Sequence, residues 1–258
     1  MKSWRITSNL LGLRLVQLLG VSAGSHVLDV RTGDGSALIA SLQSVGPTGY
    51  VVSLDNDQGS VEYVSKELRK LSVHNAEVRL SDGKHIDIPD SQFDFAVSGF
   101  MSWDYCFDFT KNVFHSPDLV MNEIYRILKS GGGLGISTWL FQEDMDWMEQ
   151  FIESYDCDSR RVYSMESEEA WQVIMESSPF NEFTLLPEKI EYTFDSLDDW
   201  WDEMNRLGWH QQIEEISDLT EVSLERIKVE AFERIGARSS ASNLIFSRKA
   251  LFIIASKT

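Results

Sequence analysis

The chain has 258 residues, of which 43% are hydrophobic and 25% charged, a composition typical of a globular protein with its own core. Its formal net charge of −18 at pH 7 would repel nucleic acid and anionic membrane surfaces, so we expect neither as a partner. The two cysteines, Cys106 and Cys157, lack metal-ligand or paired spacing, which argues against a metal site or a disulfide framework and favours a cytoplasmic location.

The first 24 residues predict an amphipathic helix that serves as a lid. Leu11, Leu15 and Leu19 fall on one helical face. Basic residues ahead of an apolar stretch also occur in secretion signals, but Arg14 and Gln17 interrupt the stretch here. No uninterrupted run of about 18 apolar residues occurs in the sequence, so no transmembrane helix is predicted.

Strands and helices alternate through the first half of the chain, which predicts a parallel sheet built by right-handed crossovers. A helix near residues 117–130 has clear boundary signals. Ser116 is its predicted N-cap, Pro117 suits its first turn, and Gly131-Gly132-Gly133 are expected to end it. The predicted strands are 26–30, 50–54, 76–80, 93–98 and 134–139, and the earlier helices are 36–44 and 61–71.

The pattern changes after residue 140. Residues 143–177 and 196–240 predict helices rich in Trp, Met and acidic residues, which we interpret as a cap inserted among the last strands. Residues 183–194 predict a strand pair or one long strand, and 250–256 predict a strongly apolar last strand within the segment 241–258. No repeat or low-complexity linker is present, so residues 1–258 are expected to form one domain.

The most informative segment is Asp29-Val30-Arg31-Thr32-Gly33-Asp34-Gly35, where a buried strand runs through a glycine turn into a helix. Glycine permits unusual backbone angles and lets a ligand approach the main chain closely. Twenty residues past Gly35, Asp55 ends the second strand. In a doubly wound sheet this places a carboxylate beside the glycine turn, where it can accept hydrogen bonds from both ribose hydroxyls.

Two other nucleotide-binding motifs do not fit this segment. A dinucleotide fingerprint requires Gly-x-Gly-x-x-Gly. If Gly33 is the middle glycine, the two flanking glycine positions hold Arg31 and Ser36. If Gly33 and Gly35 are the first two glycines, the third position holds Leu38. A phosphate-binding loop is excluded because the sequence has no Gly-Lys followed by Ser or Thr.

Five segments follow one another in a characteristic order: Asp29 to Gly35, Asp55, Ser81-Asp82-Gly83, Phe93 to Ser98, and Glu123 to Gly133. They resemble the successive motifs of class I S-adenosylmethionine-dependent methyltransferases, especially the branch that includes ubiquinone and menaquinone biosynthesis enzymes. The similarity covers about residues 25–140, the predicted cofactor-binding core.

The resemblance implies S-adenosylmethionine as cofactor and assigns a role to each segment. The turn of Asp29, Gly33 and Gly35 would hold the methionine moiety. The adenosine end would be bound by Asp55 at the ribose, by Asn56 beside the adenine, and by Ser81-Asp82-Gly83 at the adenine amino group, while Ser98-Gly99 would line the side of the methyl group.

Arg31 departs from the family pattern, because relatives usually have glycine or another small residue at this position. The guanidinium could pair with the cofactor carboxylate. It could instead form a structural ion pair with Asp29 or Asp34, turn outward, or crowd the site and block methyl transfer.

Aromatic residues are concentrated after the fifth predicted strand, where they either pack the cap or line an apolar substrate pocket between cap and sheet. His115 and His210 are candidate general bases, although each could equally have only a structural role. The candidate substrate-binding residues are Trp4, Trp103, Tyr105, Trp139 and Trp209.

These observations lead to one fold and one favoured function. We expect a Rossmann-like α/β fold with a seven-stranded sheet, an antiparallel last strand and an inserted helical cap. The expected activity is methyl transfer from S-adenosylmethionine to an oxygen, nitrogen or carbon atom of an apolar small molecule. The alternatives are a methyltransferase-like enzyme that catalyses cyclisation or isomerisation, and a partner-binding subunit without activity.

Overall fold

The computed structural model describes the backbone of residues 3–155, 166–236 and 244–258, and the side chains of these ranges from residue 10 onward. Cys157, the side chain of Trp4 and parts of the predicted cap and last-strand segment lie outside the described residues. The helices are α1 (Ser3–Leu19), α2 (Ser36–Val45), α3 (Gln58–Lys70), α4 (Leu119–Ile127), α5 (Glu143–Glu153), α6 (Glu168–Glu176), α7 (Leu197–Met204), α8 (His210–Thr220) and α9 (Leu224–Gly236).

Nine strands accompany these helices in the described part of the chain. They are β1 (His26–Val30), β2 (Tyr50–Asp55), β3 (Ala76–Leu80), β4 (Phe93–Gly99), β5 (Phe107–Asp108), β6 (Val113–Phe114), β7 (Leu128–Gln142), β8 (Glu182–Phe194) and β9 (Leu244–Ser256). The short β5 and β6 pair with each other and were not expected from the sequence. None of the described helices is both long and apolar enough to cross a membrane.

Seven of the strands form one sheet in the order β3-β2-β1-β4-β7-β9-β8. The pairs β1–β2, β1–β4, β2–β3 and β4–β7 are parallel, and the last strand, β9, is antiparallel. The predicted fold class is therefore confirmed. The strand order runs outward from β1 to β3 on one side of the sheet and continues from β4 on the other side. The carboxyl ends of the neighbouring strands β1 and β4 therefore lie at the crevice where such folds bind ligands.

The residues group into two compact units, which we describe separately. The core unit comprises Ser8–Leu140, Met165–Glu188 and Ala250–Thr258, and the helical unit comprises Met1–Thr7, Phe141–Ser164 and Lys189–Lys249. The proposed subdivision into lid, core and cap stays a prediction.

The core unit buries the apolar faces that the sequence periodicity predicted. Leu28 on β1, Ile124 on α4 and Ile136 on β7 belong to one hydrophobic cluster and are fully buried. Helix α1 packs against the start of α2, and Gly12 permits this approach, since a Cβ there would lie 2.7 Å from the Ser36 carbonyl oxygen. This contact places α1 beside the glycine turn that precedes α2.

The predicted boundaries of α4 were wrong at both ends. Asp118, not Ser116, is the N-cap, and its carboxylate accepts a hydrogen bond from the Met121 backbone N–H. The helix ends at Ile127, before the three glycines. Those glycines lie within β7, where the register with β4 shifts between Phe93 and Phe95, because the chain bulges at this point.

The helical unit has a densely packed aromatic interior. Trp200 is fully buried, and its ring lies 5.3 Å from that of Trp147 in an edge-to-face arrangement. Residues Asn205–Trp209 form a π-helical segment between α7 and α8, which contains a kink at Gly208, where φ is 111°. The buried Asp144 and Arg248 form an ion pair in the same unit.

Candidate active site

The turn between β1 and α2 has three residues with left-handed backbone angles: Arg31 (φ 72°), Gly33 (φ 51°) and Gly35 (φ 87°). The backbone N–H groups of Arg31 and Thr32 both donate to the Leu54 carbonyl oxygen, at 2.8 and 2.9 Å. The turn is therefore fixed across the end of β2. A left-handed angle at an arginine costs about 1–2 kcal/mol relative to the right-handed region.

Asp55 connects this turn to the two following segments. One carboxylate oxygen accepts from the Gly33 N–H at 2.9 Å and the other from the Asp57 N–H at 2.9 Å, while its backbone carbonyl accepts from the Ser81 N–H at 2.7 Å. A carboxylate offers about four acceptor positions, so two remain for a ligand. Asp55 is thus rigidly held with acceptor capacity left over.

Asp29 is fully buried below the turn. Its Oδ2 accepts from the Ser53 hydroxyl at 2.6 Å, and that hydroxyl also bonds to Thr32, but its Oδ1 has no partner among the described residues. Burial raises the pKa of Asp29 to about 7, with the charges of Asp55 and Asp34 adding to the rise and the Ser53 bond opposing it. An unpaired buried oxygen of this kind suits a cationic or hydrogen-bond-donating ligand.

The segment after β3 forms a tight turn. The Gly83 N–H donates to the Ser81 hydroxyl at 3.2 Å, and the exposed Asp82 accepts from the Lys84 N–H at 3.0 Å. The Gly83 N–H, which the sequence placed near the adenine, is therefore already used within the turn. Asn56 is exposed next to Asp55, as a residue that contacts a bound ligand from the surface would be.

The ends of β4 and β7 contribute two more buried groups. The Ser98 and Ser137 hydroxyls are buried and have no hydrogen-bond partner among the described residues. Gly99 lies close to α2, since a Cβ on it would come within 3.3 Å of the Ala37 side chain. The Phe100 ring stacks on Trp139 with centroids 4.4 Å apart. These residues bring the fourth-strand motif next to the helix that follows the glycine turn.

All eleven predicted cofactor-binding residues lie in the core unit, and the contacts above bring the first three motifs together around Asp55. The orphaned oxygens of Asp29, Ser98 and Ser137 fit a cofactor that carries a sulfonium, an ammonium and hydroxyl groups. Asp55 has the remaining acceptor capacity that a ribose needs. The residues present therefore fit S-adenosylmethionine.

Glu166 is a buried carboxylate that the sequence analysis missed. It accepts from the Thr138 hydroxyl at 2.5 Å and from the Trp171 indole N–H at 2.7 Å, and Ser102 also donates to it. Burial raises its pKa to about 7 against these hydrogen bonds. No sequence signal separates it from the many other acidic residues between 143 and 177, since burial there depends on tertiary packing.

The predicted substrate-binding aromatics differ in their surroundings. Trp103 is fully buried and donates its indole N–H to Asp118 at 2.7 Å, and the Tyr105 hydroxyl donates to the same carboxylate at 2.5 Å. These contacts favour the packing role for Trp103. Trp139 is half-buried, and Trp209 is fully buried in the helical unit with no partner for its indole N–H among the described residues. Their role in substrate binding stays a prediction.

The two candidate general bases are both exposed. His115 Nε2 lies 3.0 Å from the Asp104 carbonyl oxygen, and the residue lines a cavity of about 410 Å³ together with Asp118 and Met121. His210 Nδ1 lies 3.1 Å from the Asn205 carbonyl oxygen. Each ring is thus held by a backbone carbonyl, and a catalytic role for either stays a prediction.

Residues 21–201 match the family model described as methyltransferase domain. Together with the topology and the order of the motifs, this match shows that the chain belongs to the class I S-adenosylmethionine-dependent methyltransferases, as the motifs predicted. Its cofactor is S-adenosylmethionine.

Comparisons with individual proteins agree with this assignment. A protein of Listeria welshimeri named demethylmenaquinone methyltransferase is 31% identical over 121 residues, which are 46% of this chain and 47% of that protein. The chain thus matches about half the length of this curated relative. The Bacillus subtilis YcgJ protein has a similar fold, with a TM-score of 0.58 at 19% identity over 96% of this chain and 98% of that one. The cyclase SpnF also has the fold, with a TM-score of 0.55 at 16% identity over 97% and 82%.

Proposed function

We propose that the protein transfers a methyl group from S-adenosylmethionine to an oxygen, nitrogen or carbon atom of an apolar small molecule. The observation that carries the proposal is the pair of buried carboxylates, Asp29 and Asp55, beside the glycine turn, which leaves acceptor oxygens available for a cationic nucleoside cofactor. The name of the Listeria relative supports an acceptor of the quinone type, since demethylmenaquinone is an apolar ring compound.

In this proposal the adenosine half binds through the ends of β2 and β3. Asp55 accepts from the ribose hydroxyls with the positions that Gly33 and Asp57 leave free. Asn56 and Asp82 contact the adenine from the exposed side. The methionine half lies over the glycine turn, where Gly33 and Gly35 allow close approach of the backbone.

The cofactor supplies an electrophilic methyl group on a sulfonium, which is already a good leaving group. The chain's own contribution is therefore to position the reactants and to exclude water. Asp29 and the Ser98 hydroxyl would hold the positively charged part of the cofactor. In the core unit, Trp139 and Tyr105 are candidates for orienting an aromatic or aliphatic acceptor, and His115 is a candidate for accepting a proton from it.

The acidic surface favours a neutral or cationic acceptor over a polyanion, because a net charge of −18 repels anions at long range. Cyclisation or isomerisation without methyl transfer is the second candidate, since the cyclase SpnF has the same fold. Arg31 in the glycine turn favours this alternative only if its side chain obstructs methyl transfer. The two differ in product: methyl transfer replaces a hydrogen, which leaves as a proton, with a methyl group and so adds the mass of CH2, whereas cyclisation adds no mass.

A direct test measures binding of S-adenosylhomocysteine by calorimetry and thermal melting. We expect binding to raise the Tm of the wild-type protein, because a ligand of the native state stabilises it. Asp55→Ala should weaken binding by on the order of 1.5–3 kcal/mol through loss of charged acceptors. Glu62→Gln is the matched control, because this exposed carboxylate lies on α3 outside the candidate-site segments, and the amide oxygen can still accept from the Gln58 side chain, so affinity should be unchanged.

Incubation of wild-type protein with S-adenosylmethionine and reduced demethylmenaquinone, followed by mass spectrometry, examines the acceptor. A product heavier by one methyl group supports the quinone-type acceptor. Absence of cofactor binding at millimolar concentration would refute the central claim, whereas binding with no methylated product would refute only this acceptor.

A further inference from the structure

Arg31 has a left-handed backbone angle and is a basic residue among the acidic residues of the candidate site. The residue keeps the turn geometry, with φ 72° and its N–H on the Leu54 carbonyl, although it carries a full side chain. Non-glycine residues in this region of backbone space are held there by their surroundings and cluster at ligand sites. Here the surroundings are the two hydrogen bonds that fix the turn on β2.

The two acids that could neutralise Arg31 are engaged elsewhere. Asp34 accepts from the Ser36 N–H at 3.0 Å and from the Ser36 hydroxyl at 2.7 Å, and Asp29 accepts from Ser53. The half-buried Arg31 side chain forms no hydrogen bond or ion pair with any described residue. A structural ion pair therefore does not account for this arginine.

Apart from Arg31, every charged residue in the segments of the candidate site is acidic. Its segments 29–36, 53–57, 81–83 and 98–100 contain five carboxylates, Asp29, Asp34, Asp55, Asp57 and Asp82, and Arg31 is their single basic residue. Carboxylates suit the sulfonium and the ammonium of the cofactor, but they repel its α-carboxylate. A guanidinium at the turn supplies the missing positive charge and can bind a carboxylate through two parallel hydrogen bonds.

We propose that Arg31 binds the α-carboxylate of the cofactor and thereby makes affinity depend on the amino-acid end of the ligand. This inference rests on the proposed function, because it presupposes that the methionine half lies over the glycine turn. It predicts that a ligand without the amino-acid end, such as 5′-methylthioadenosine, gains nothing from Arg31.

The test compares calorimetric Kd values of S-adenosylhomocysteine and 5′-methylthioadenosine for wild type, Arg31→Ala, Arg31→Lys and Arg31→Gly. Arg31→Ala should weaken S-adenosylhomocysteine binding by about 10- to 100-fold and methylthioadenosine binding by less than about 3-fold, from the strength of charge-assisted hydrogen bonds. Arg31→Lys should be intermediate, because it keeps the charge without the planar fork. The exposed Arg69→Ala is the matched control and should change neither Kd.

Arg31→Gly separates loss of a contact from loss of folding, since glycine suits the left-handed angle and should not lower the Tm. Equal losses for both ligands, or no loss for either, would overturn the inference while leaving the proposed function intact. Tighter binding of both ligands to Arg31→Gly would also overturn it and would show instead that the arginine obstructs the site. Failure of the wild type to bind either ligand would refute the proposed function and this inference together.

Discussion

A fully buried aspartate lies beside the glycine turn of the core unit, and another lies in the interior of the helical unit. The two differ in the partners of their carboxylate oxygens. In the helical unit, Asp144 accepts from Arg248 Nε at 3.0 Å, and the guanidinium lies 3.7 Å above the Tyr192 ring. In the core unit, Asp29 has a hydroxyl as its neighbour and one oxygen without a partner among the described residues.

This difference in partners indicates that Asp144 has a structural role, whereas Asp29 is available to a ligand. Buried charges are normally paired, because an isolated one is costly to desolvate. Asp144 follows this rule and is satisfied within the chain. Asp29 does not, and its pKa rises to about 7 as a consequence. The turn beside Asp29 is also strained at Arg31, which has a left-handed backbone angle. The partly unsatisfied carboxylate and the strained turn both lower the stability of this part of the core unit.

The largest expected effect comes from breaking the satisfied pair. Asp144→Ala should destabilise the protein by about 3–5 kcal/mol, since it removes the carboxylate that balances the charge of the buried Arg248 guanidinium. Urea denaturation at pH 7.5 measures the change. The double variant Asp144→Leu with Arg248→Met should recover most of the loss, because an apolar pair of similar volume has no charge to desolvate. A double variant as unstable as the single one would contradict this account.

A second comparison distinguishes packing from function among the aromatics of the core unit. Trp103→Ala should destabilise the protein by about 3 kcal/mol, through loss of a buried ring and of the bond to Asp118. Trp139→Ala removes a half-buried ring and should cost about 1 kcal/mol. Urea denaturation of both variants measures these values. If Trp103→Ala were as stable as wild type, the packing role would be wrong.

The sequence predicted the first strands and the glycine turn beside Asp55 better than the rest of the molecule. Strand ends, the glycine turn and Asp55 are local features with strong backbone requirements, so their placement follows from composition and spacing. The boundaries of α4 were missed because Ser116 and Asp118 are both good caps, and only the structure shows which carboxylate or hydroxyl reaches the free N–H groups.

The residues that sequence reasoning could not find depend on contacts between distant segments. Glu166 accepts hydrogen bonds from Thr138 and Trp171. The Ser137 hydroxyl, which has no hydrogen-bond partner among the described residues, is buried because β7 pairs with β4. Arg248 is 104 residues from Asp144 along the chain, and neither residue carries a local signal of pairing. Such pairings require the tertiary fold, which periodicity does not specify.

The last prediction is a pH dependence that tests whether the buried Asp29 carboxyl is available to a ligand. The folded-state pKa values of Asp29 and Glu166 are raised to about 7, above the roughly 4 of an unfolded chain. Between these values the folded protein keeps protons that the unfolded chain has released, so stability falls as pH rises from about 4 to 7.

Thermal melting between pH 5 and 8 should show this fall in stability, and Asp29→Asn and Glu166→Gln should each flatten part of it.

The pH dependence of cofactor affinity then distinguishes the two carboxyls. If the positive end of S-adenosylhomocysteine faces Asp29, binding favours the ionised form, and affinity should rise several-fold from pH 6 to 8 in wild type and in Glu166→Gln. Asp29→Asn should abolish that rise, because the amide does not titrate. A rise that survives in Asp29→Asn and disappears in Glu166→Gln would place the proton-linked group at Glu166 instead, and the contrast between Asp29 and Asp144 would lose its functional meaning.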